Sequence, residues 1–212
     1  MTAPARPRKA LRMASAARGA TLLARLEPDT VMLAHGQNWA SYLVMDKVLE
    51  GSGLRVSYSD GVIEIMSTSR DHERIKQNIS HMIARYCQDE DIEYSSEGHA
   101  TRRLENRRAT EPDDSFYFSA ERQAEGKVPD LVIEVALSSG GLDKMDFYEP
   151  LGVPEVWIWE SGRIQIMGFD GKKYRSLRSS RQLPELDVQL VAKLAAGQPT
   201  SAVIREFVKK RK

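Results

Sequence analysis

The sequence predicts an α/β fold organised around a strand-helix-strand unit at residues 129–160. An apolar run over 131–137, entered by Pro-Asp and followed by Ser-Ser-Gly-Gly, is typical of a buried strand. A short helical pattern follows at 141–150, and a second apolar run follows at 155–159. Two strands joined by a helix within about thirty residues form a βαβ unit, whose two strands are parallel.

Two charged residues lie inside this unit and need an explanation. Glu134 interrupts the first strand, and Lys144 lies near the start of the helix. A carboxylate is costly to bury unless it is paired or coordinates a metal. The unit therefore predicts either an internal ion pair between Glu134 and Lys144 or a site that carries chemistry.

Composition fits a soluble globular domain in a reducing compartment, which predicts a cytoplasmic location. The 31 basic and 30 acidic residues nearly cancel, so only a local basic face could bind nucleic acid. No apolar stretch approaches the roughly 20 residues that span a bilayer. Cys87 is the single cysteine, which excludes a disulfide framework, and its place on a predicted helix favours a buried, inert thiol.

The distribution of residue types predicts three segments. Residues 1–30 begin with an Arg-rich stretch that contains no acidic residue before Glu27, which is typical of a disordered basic segment. The alternatives to a disordered segment are an organelle transit peptide and an arm that contacts nucleic acid. Residues 31–200 hold the periodic patterns of a domain, and 201–212 predict a C-terminal helix with a basic tail.

The first part of the domain predicts a helix and a hairpin. An amphipathic pattern at 38–50 ends at a Gly-Ser-Gly sequence, which stops helices. Strand-like runs within 54–66 are split by Asp60-Gly61, which is a strong hairpin signal. Glu64 alternates with isoleucines in the second run, which predicts that its side chain faces solvent.

A long helix is predicted after Ser69, which can cap its first turn. Apolar residues from Ile75 to Cys87 recur at helical spacing and define one face of about 20 residues. His72 and Glu73 lie at its start, where both could face a catalytic cleft. The alternative for Glu73 is an exposed first-turn carboxylate favoured by the helix dipole.

The remaining segments are shorter. Residues 92–101 predict a strand, and 102–108 read as a loop with four arginines, either solvated or in contact with phosphates. Residues 116–118 are strand-like, and a polar connection leads from them to the βαβ unit. Runs at 163–169 and 173–176, split by Asp-Gly, predict another hairpin.

Three groups form the strongest candidate site. Strands joined by a modest connection usually pair antiparallel, so Asp113 and Glu134 are expected to converge. Two carboxylates can share Mg²⁺, whose bound water is a nucleophile near neutral pH. Lys144 can stabilise the charge that develops on an attacked phosphate. This combination suits phosphodiester hydrolysis, and no other established catalytic motif is present in the sequence.

Several short patterns in this order resemble the Uma-type restriction endonucleases of the PD-(D/E)XK nuclease superfamily, over roughly residues 38–195. The patterns are Tyr58-Ser-Asp-Gly61 with Met66-Ser67, Ser69-Arg-Asp-His72-Glu73, Glu111-Pro-Asp113-Asp114-Ser-Phe-Tyr117, Pro129-Asp-Leu-Val-Ile-Glu134-Val135, Asp143-Lys144 and Tyr148-Glu-Pro-Leu-Gly-Val-Pro-Glu-Val-Trp157. The resemblance implies a central mixed β-sheet flanked by helices, with a core in α-β-β-β-α-β order. It also implies an endonuclease that uses Mg²⁺ or Mn²⁺, acts on DNA and often forms a homodimer.

Carried over by position, the resemblance assigns the metal ligands to Asp113 and Glu134. Superfamily members commonly place the catalytic lysine two residues after the second acid, but that position is Ala136 here. Lys144, on the following helix, takes the place of that lysine. Glu73 corresponds to an additional catalytic acid on the first helix of the core.

Two questions stay open at this level. Asp114 is a second candidate ligand beside Asp113, and only one of them can enter the site because neighbouring strand residues point to opposite faces. The second question is activity. The alternative to a nuclease is a catalytically inactive nuclease-fold protein that acts as a nucleic-acid-binding or accessory module.

Overall fold

The structure is a computed structural model, and it describes residues 27–98, 102–104, 107–124, 128–137 and 143–211. The Arg-rich segment at 1–26 lies outside the described residues, so its disorder stays a prediction. The division into segments at 30 and 200 also stays a prediction. Among the described residues, no helix is long and apolar enough to cross a membrane.

The described residues form eleven strands and six helices. The strands are β1 (Val31–Ala34), β2 (Leu54–Ser59), β3 (Val62–Ser67), β4 (Ser95–Ser96), β5 (Arg102–Leu104), β6 (Arg108–Thr110), β7 (Asp114–Tyr117), β8 (Leu131–Val135), β9 (Glu155–Glu160), β10 (Arg163–Phe169) and β11 (Tyr174–Leu177). The helices are α1 (Trp39–Leu49), α2 (Arg70–Asp89), α3 (Ala120–Ala124), α4 (Lys144–Leu151), α5 (Val188–Leu194) and α6 (Thr200–Arg211).

The central sheet has six strands in the order β11-β10-β9-β8-β7-β4. Strands β8 and β9 are parallel and are joined through α4, which confirms the predicted βαβ unit. The other neighbours pair antiparallel, so the sheet is mixed. Apart from the strands of a second sheet and the short α3, the chain runs α2-β4-β7-β8-α4-β9. That path is the expected α-β-β-β-α-β order.

Helix α2 covers one face of the central sheet. Ser69 caps it by accepting a hydrogen bond from the His72 amide at 3.0 Å, as its residue type predicts. The buried side chains of α2 include Ile75, Ile79, Met82, Ile83, Tyr86 and Cys87. Helices α5 and α6 share this core. Burying an aliphatic side chain of this size contributes roughly 1.5–3 kcal/mol.

Cys87 belongs to this core and is fully buried. Burial raises the pKa of its thiol to about 11, because the apolar surroundings disfavour the thiolate. The thiol is therefore the inert core residue that the sequence predicts.

A second sheet lies at the N-terminal side of the fold, with the order β1-β3-β2-β6-β5. Helix α1 packs against β2, where Tyr42, Leu49, Val56 and Tyr58 form a separate core cluster. The predicted hairpin is confirmed as β2 and β3. Asp60 and Gly61 have φ values of 38° and 99°, the left-handed conformation that tight hairpin turns require.

The prediction of a loop at 102–108 is wrong, because the described residues form β5, a turn at Arg107 and the start of β6. The physical reason is that β2 offers a pairing edge, with Tyr58 opposite Ala109. Acidic neighbours also neutralise the arginines. Arg103 contacts Asp46 at 2.8 Å, and Arg108 contacts Asp60 at 2.6 Å.

Other departures from the predicted elements are local. The strand expected over 92–101 is reduced to Ser95–Ser96, which pairs with β7, and residues 99–101 lie outside the described part of the chain. Strand β1 and helix α5 were not predicted. β1 is only four residues long and pairs with β3, so tertiary pairing rather than local pattern accounts for it.

Candidate active site

The fold brings Asp113, the residue directly before β7, to a position that faces Glu134 on β8. The antiparallel register places Asp114 opposite Ile133, so the preceding residue, Asp113, faces Glu134. Directly opposed side chains have Cβ atoms about 5 Å apart. Both residues are buried, with 1% of Asp113 and 3% of Glu134 exposed. Two adjacent carboxylates in a buried place require compensating positive charge or donors.

Asp113 has a full set of donors. Arg55 donates from Nη1 to Oδ1, and the Val135 amide donates to Oδ2 at 2.6 Å. Nε2 of His72 also lies 3.3 Å from Oδ2. Burial disfavours the charged form, but Arg55 and His72 outweigh it and hold the pKa of Asp113 well below its usual range. Asp113 is therefore ionised.

Glu134 has a different environment. The Tyr148 hydroxyl donates to Oε1, and Nζ of Lys144 lies 3.8 Å from Oε2. Burial is the main influence, and it raises the pKa of Glu134 to about 7 with a further contribution from the negative charge of Asp113. Lys144 and Tyr148 act in the opposite direction without cancelling these effects. The two facing carboxyl groups thus differ in how readily each is ionised.

Lys144 is the first residue of α4, whose N-terminus is capped by Asp143. Its Nζ lies 3.6 Å from Oε1 of Glu64 and 3.8 Å from Oε2 of Glu134. Burial favours the neutral amine, but the two glutamates outweigh it and raise the pKa of Lys144. The internal ion pair considered from the sequence is therefore present, and it has a third member.

The prediction that Glu64 faces solvent is wrong, because only 2% of the residue is exposed. Strand β3 is covered on both faces. Ile63 and Ile65 pack in the cluster under α1, and Glu64 on the opposite face meets Lys144 of α4. Alternation in a strand separates the two faces, but it does not show which face stays open to water.

Glu73 lies at the open side of the cluster, with 38% of its side chain exposed. Nη2 of Arg55 lies 3.3 Å from its Oε1, and Lys76 donates to Oε2. Burial raises the pKa of Glu73, but Lys76 and Arg55 outweigh it, so the pKa is lowered. Glu73 does not contact the Asp113 carboxylate directly in this arrangement; Arg55 connects the two acids.

A comparison with family models agrees with the resemblance seen in the sequence. The model of the Uma2 family, whose description is "Putative restriction endonuclease", matches residues 39–197. The chain belongs to the Uma2 family. This confirms the resemblance found in the sequence, and the family description is that of a nuclease class.

A solved structure is also similar to this Uma2 chain. It is described as a putative nuclease belonging to DUF820 from Anabaena variabilis, with 13% identity and a TM-score of 0.46. The similarity covers 72% of this chain and 90% of that one. No curated protein matches the chain.

In this Uma2 protein, Asp114 points away from the cluster. It accepts hydrogen bonds from the Ser80 hydroxyl, the Ser96 hydroxyl at 2.8 Å and the Ser115 amide at 2.8 Å. These neutral donors hold the start of β7 to α2 and β4. Of the two neighbouring aspartates, Asp113 is therefore the one that faces Glu134.

The residues fit a divalent cation by their chemistry. Within the described ranges, no three His, Cys, Asp or Glu side chains converge as a ready metal site. Mg²⁺, however, usually takes only one or two protein carboxylates and completes its shell with water. Asp113 and Glu134 supply that pair of hard oxygen donors. In this Uma2 structure Arg55 and Lys144 provide the positive charge beside them.

Three residues of the cluster were not predicted from the sequence as site residues, namely Arg55, Glu64 and Tyr148. A signal existed for Tyr148, because it lies four residues after Lys144 and so shares one face of α4. No local pattern marks Arg55 and Glu64, which pair with Met66 and Ser57 in the hairpin register. They lie on β2 and β3, and only the packing of the second sheet against the first brings them to the site.

Proposed function

We propose that this Uma2 protein is a metal-dependent endonuclease that hydrolyses phosphodiester bonds in DNA. The observation that carries the proposal is the convergence of Asp113, Glu134 and Lys144 in one buried cluster. DNA is proposed as the substrate because the family is described as restriction endonucleases.

The two carboxylates are proposed to hold Mg²⁺, or alternatively Mn²⁺. When bound, the ion supplies Lewis acidity and a source of nucleophilic water. The Val135 amide and the Tyr148 hydroxyl orient the two carboxyl groups by donating one hydrogen bond to each. The protein thus supplies one oxygen donor from β8 and one from the residue that directly precedes β7, and both are held by hydrogen bonds.

Lys144 is proposed to face the phosphate that is attacked. Its ammonium lies between Glu64 and Glu134 and stays charged, because the two glutamates raise its pKa. A fixed positive charge in a poorly solvated place stabilises negative charge that develops in the transition state. Glu73, at the open side, is proposed to orient the substrate or the water as a further catalytic acid.

The β5–β6 hairpin is proposed as a contact for the DNA backbone. Arg103 and Arg107 have exposed side chains on this hairpin, and β6 pairs directly with β2 of the site. Lys and Arg contacts to phosphates supply affinity without sequence specificity. Arg103 and Arg107 are paired with Asp46 at 2.8 Å and Asp60 at 3.8 Å, so a phosphate would compete with these aspartates for the two guanidinium groups.

Cleavage of supercoiled and linear DNA with Mg²⁺ or Mn²⁺ tests the proposal, with EDTA as the metal-free control. Asp113→Asn is expected to reduce the cleavage rate by about a hundredfold to a thousandfold, because it removes a charge that no neighbour replaces. Asp114→Asn is the matched control, since its side chain faces away from the cluster. Circular dichroism and thermal melting must show that both variants are folded. Equal cleavage by wild type and Asp113→Asn would overturn the proposal.

A second candidate function is a catalytically inactive nuclease-fold protein that binds nucleic acid. The specific observation in its favour is that Arg55 and Lys144 already neutralise Asp113 and Glu134. A folded wild type that binds no Mn²⁺ and cuts neither DNA nor RNA would support this alternative.

The family resemblance also supports a homodimer, and the composition supports a location in the cytoplasm. Sedimentation equilibrium of the full chain tests the first point, and a mass of about 24 kDa would contradict it because the single chain weighs 23.9 kDa. Fractionation of cells with an antibody against the chain tests the second point.

A further inference from the structure

Arg55 is the main positive partner of Asp113. Its side chain is 11% exposed, and it bonds an aspartate whose side chain is completely buried. The other oxygen of Asp113 accepts a hydrogen bond from the Val135 amide at 2.6 Å and lies 3.3 Å from Nε2 of His72, which also lies 3.1 Å from the Val135 carbonyl. Oδ1 is thus the oxygen whose partner is a side chain that can move without disturbing the strand backbone.

Arg55 also has a second partner on the open side. Its Nη2 lies 3.3 Å from Oε1 of Glu73. Both residues line a cavity of about 960 Å³ beside α1 and β2, and Lys76 lines the same wall. The guanidinium therefore spans the distance between a buried carboxylate and a carboxylate at an open cavity.

A divalent cation and a guanidinium compete for the same oxygen. Oδ1 of Asp113 carries the Arg55 bond, and a cation bound at that oxygen would lie close enough to the guanidinium for the two positive charges to repel each other strongly in a poorly solvated place. Because the guanidinium has several N–H donors, Arg55 can keep its bond to Glu73 while it gives up its bond to Asp113. Glu73 is already placed to retain that bond.

We propose that Arg55 is the resident counter-ion of the metal-free site, and that a divalent cation displaces it from Asp113 while Glu73 retains it at the cavity wall. This exchange rests on the metal dependence proposed above. Arg55 is a positioning residue in this scheme, since it keeps Asp113 ionised and in place until the ion arrives. Its release also leaves a guanidinium beside the cavity.

The first test is calorimetric titration of the full chain with Mn²⁺ in the absence of nucleic acid. Arg55→Met removes the competitor, so the dissociation constant for Mn²⁺ is expected to fall on the order of tenfold, the size of effect that neighbouring side chains have on metal affinity. Arg175→Met is the matched control, because Arg175 pairs with Asp170 outside the cluster. Unchanged or weaker binding by a folded Arg55→Met variant would overturn the proposal, as would the absence of binding in wild type and variant alike.

The second test avoids the variant, because losing the partner of a buried charge can prevent folding. Phenylglyoxal labels accessible guanidinium groups, and mass spectrometry of peptides reports the labelling rate of Arg55 in the wild-type chain. Mn²⁺ is expected to increase that rate at Arg55 and to leave the rate at the exposed Arg175 unchanged. A rate at Arg55 that stays constant or falls would overturn the exchange.

The two proposals can fail separately. A wild type that shows faster labelling with Mn²⁺ but cuts no nucleic acid retains the exchange and loses the nuclease function. A wild type that cuts DNA with Mn²⁺, while Arg55→Met binds the ion with unchanged affinity, retains the nuclease function and loses the exchange.

Discussion

Two glutamates on adjacent parallel strands, Glu134 on β8 and Glu155 on β9, are both buried but have different surroundings. Glu155 accepts hydrogen bonds from Trp157 Nε1 at 2.6 Å, from the Ser180 hydroxyl at 2.6 Å and from the Arg181 amide at 2.7 Å. These donors are two N–H groups and a hydroxyl, and none of them is a charged group. They hold the carboxylate as a fixed part of the fold.

Glu134 lies among charged and ionisable groups. Its partners are the Tyr148 hydroxyl and the Lys144 ammonium, and it faces the carboxylate of Asp113. Burial of an acid therefore does not identify an active site. The kind of partner does, because charged groups drawn from several elements can act on an ion or a substrate, whereas neutral donors only hold the carboxylate in place.

The largest expected difference between the two glutamates is in catalysis. Glu134→Gln is expected to lower the rate of DNA cleavage by about a hundredfold to a thousandfold, because the amide cannot replace the charge at the site. Glu155→Gln is expected to cut at a near wild-type rate when it is assayed at a temperature where it is folded. Single-turnover cleavage with Mg²⁺ measures both. A similar loss of cleavage rate in the two variants would mean that Glu134 supports the fold and has no direct role in catalysis.

The sequence predicts the burial of Glu134, but it does not predict the burial of Glu155. The apolar run around Glu134 identifies a buried acid, and Lys144 lies at a spacing that a short crossover helix can bring back to it. The same pattern at 155–159 places Glu155 at the entry of a strand, where nothing local announces its burial. Its partners Ser180 and Arg181 lie about 25 residues further on, in a segment that the sequence does not assign to any element.

Contacts between residues far apart in sequence also explain why Glu64 and Arg55 are not predicted as site residues. Their strands read correctly as a hairpin, and the α-β-β-β-α-β core can be read from local patterns and from the family resemblance. Which face of the hairpin becomes buried depends on how the second sheet packs against α4, and that contact joins residues far apart in sequence. Local periodicity holds no information about such contacts.

The next expected effect is on stability, where Glu155→Gln is expected to have a larger effect than Glu134→Gln. Glu155→Gln places an amide nitrogen among three donors, so we expect the free energy of unfolding to fall by about 2–4 kcal/mol. Glu160→Gln is the control, because Glu160 lies on the same strand and is exposed. Urea denaturation with matched slopes measures the difference. No loss in Glu155→Gln would mean that the three donors find other partners.

A pH-dependent effect distinguishes the two sites further. Burial raises the pKa of Glu134 from 4.5 to about 7, so the folded state holds this proton more tightly than the unfolded state. The stability that the proton provides is fully present below pH 4.5 and is lost as the pH rises to about 7. The total loss is at most about 3 kcal/mol.

Urea denaturation in EDTA between pH 4.5 and 7 tests this effect. Wild type and Glu155→Gln should lose stability with rising pH, and Glu134→Gln should show a flatter profile. The raised pKa of His72 acts in the same direction, so the difference between wild type and Glu134→Gln is the quantity to compare. A difference that grows in favour of wild type as the pH rises would contradict the assigned direction.

The smallest expected effect concerns how Glu134 is oriented. Tyr148→Phe removes the hydroxyl that donates to Oε1 of Glu134, so stability is expected to fall by about 1 kcal/mol. Cleavage at pH 7 is expected to slow by about threefold to tenfold, because the carboxyl group is less well oriented and more often protonated. Tyr174→Phe is the matched control. Its hydroxyl donates to the Val153 carbonyl at 2.7 Å, outside the cluster, so it should lose similar stability and keep the cleavage rate. If both tyrosine variants cut DNA equally fast, the Tyr148 hydroxyl would not orient Glu134 for catalysis, and the proposed difference between the surroundings of Glu134 and Glu155 would lose its support.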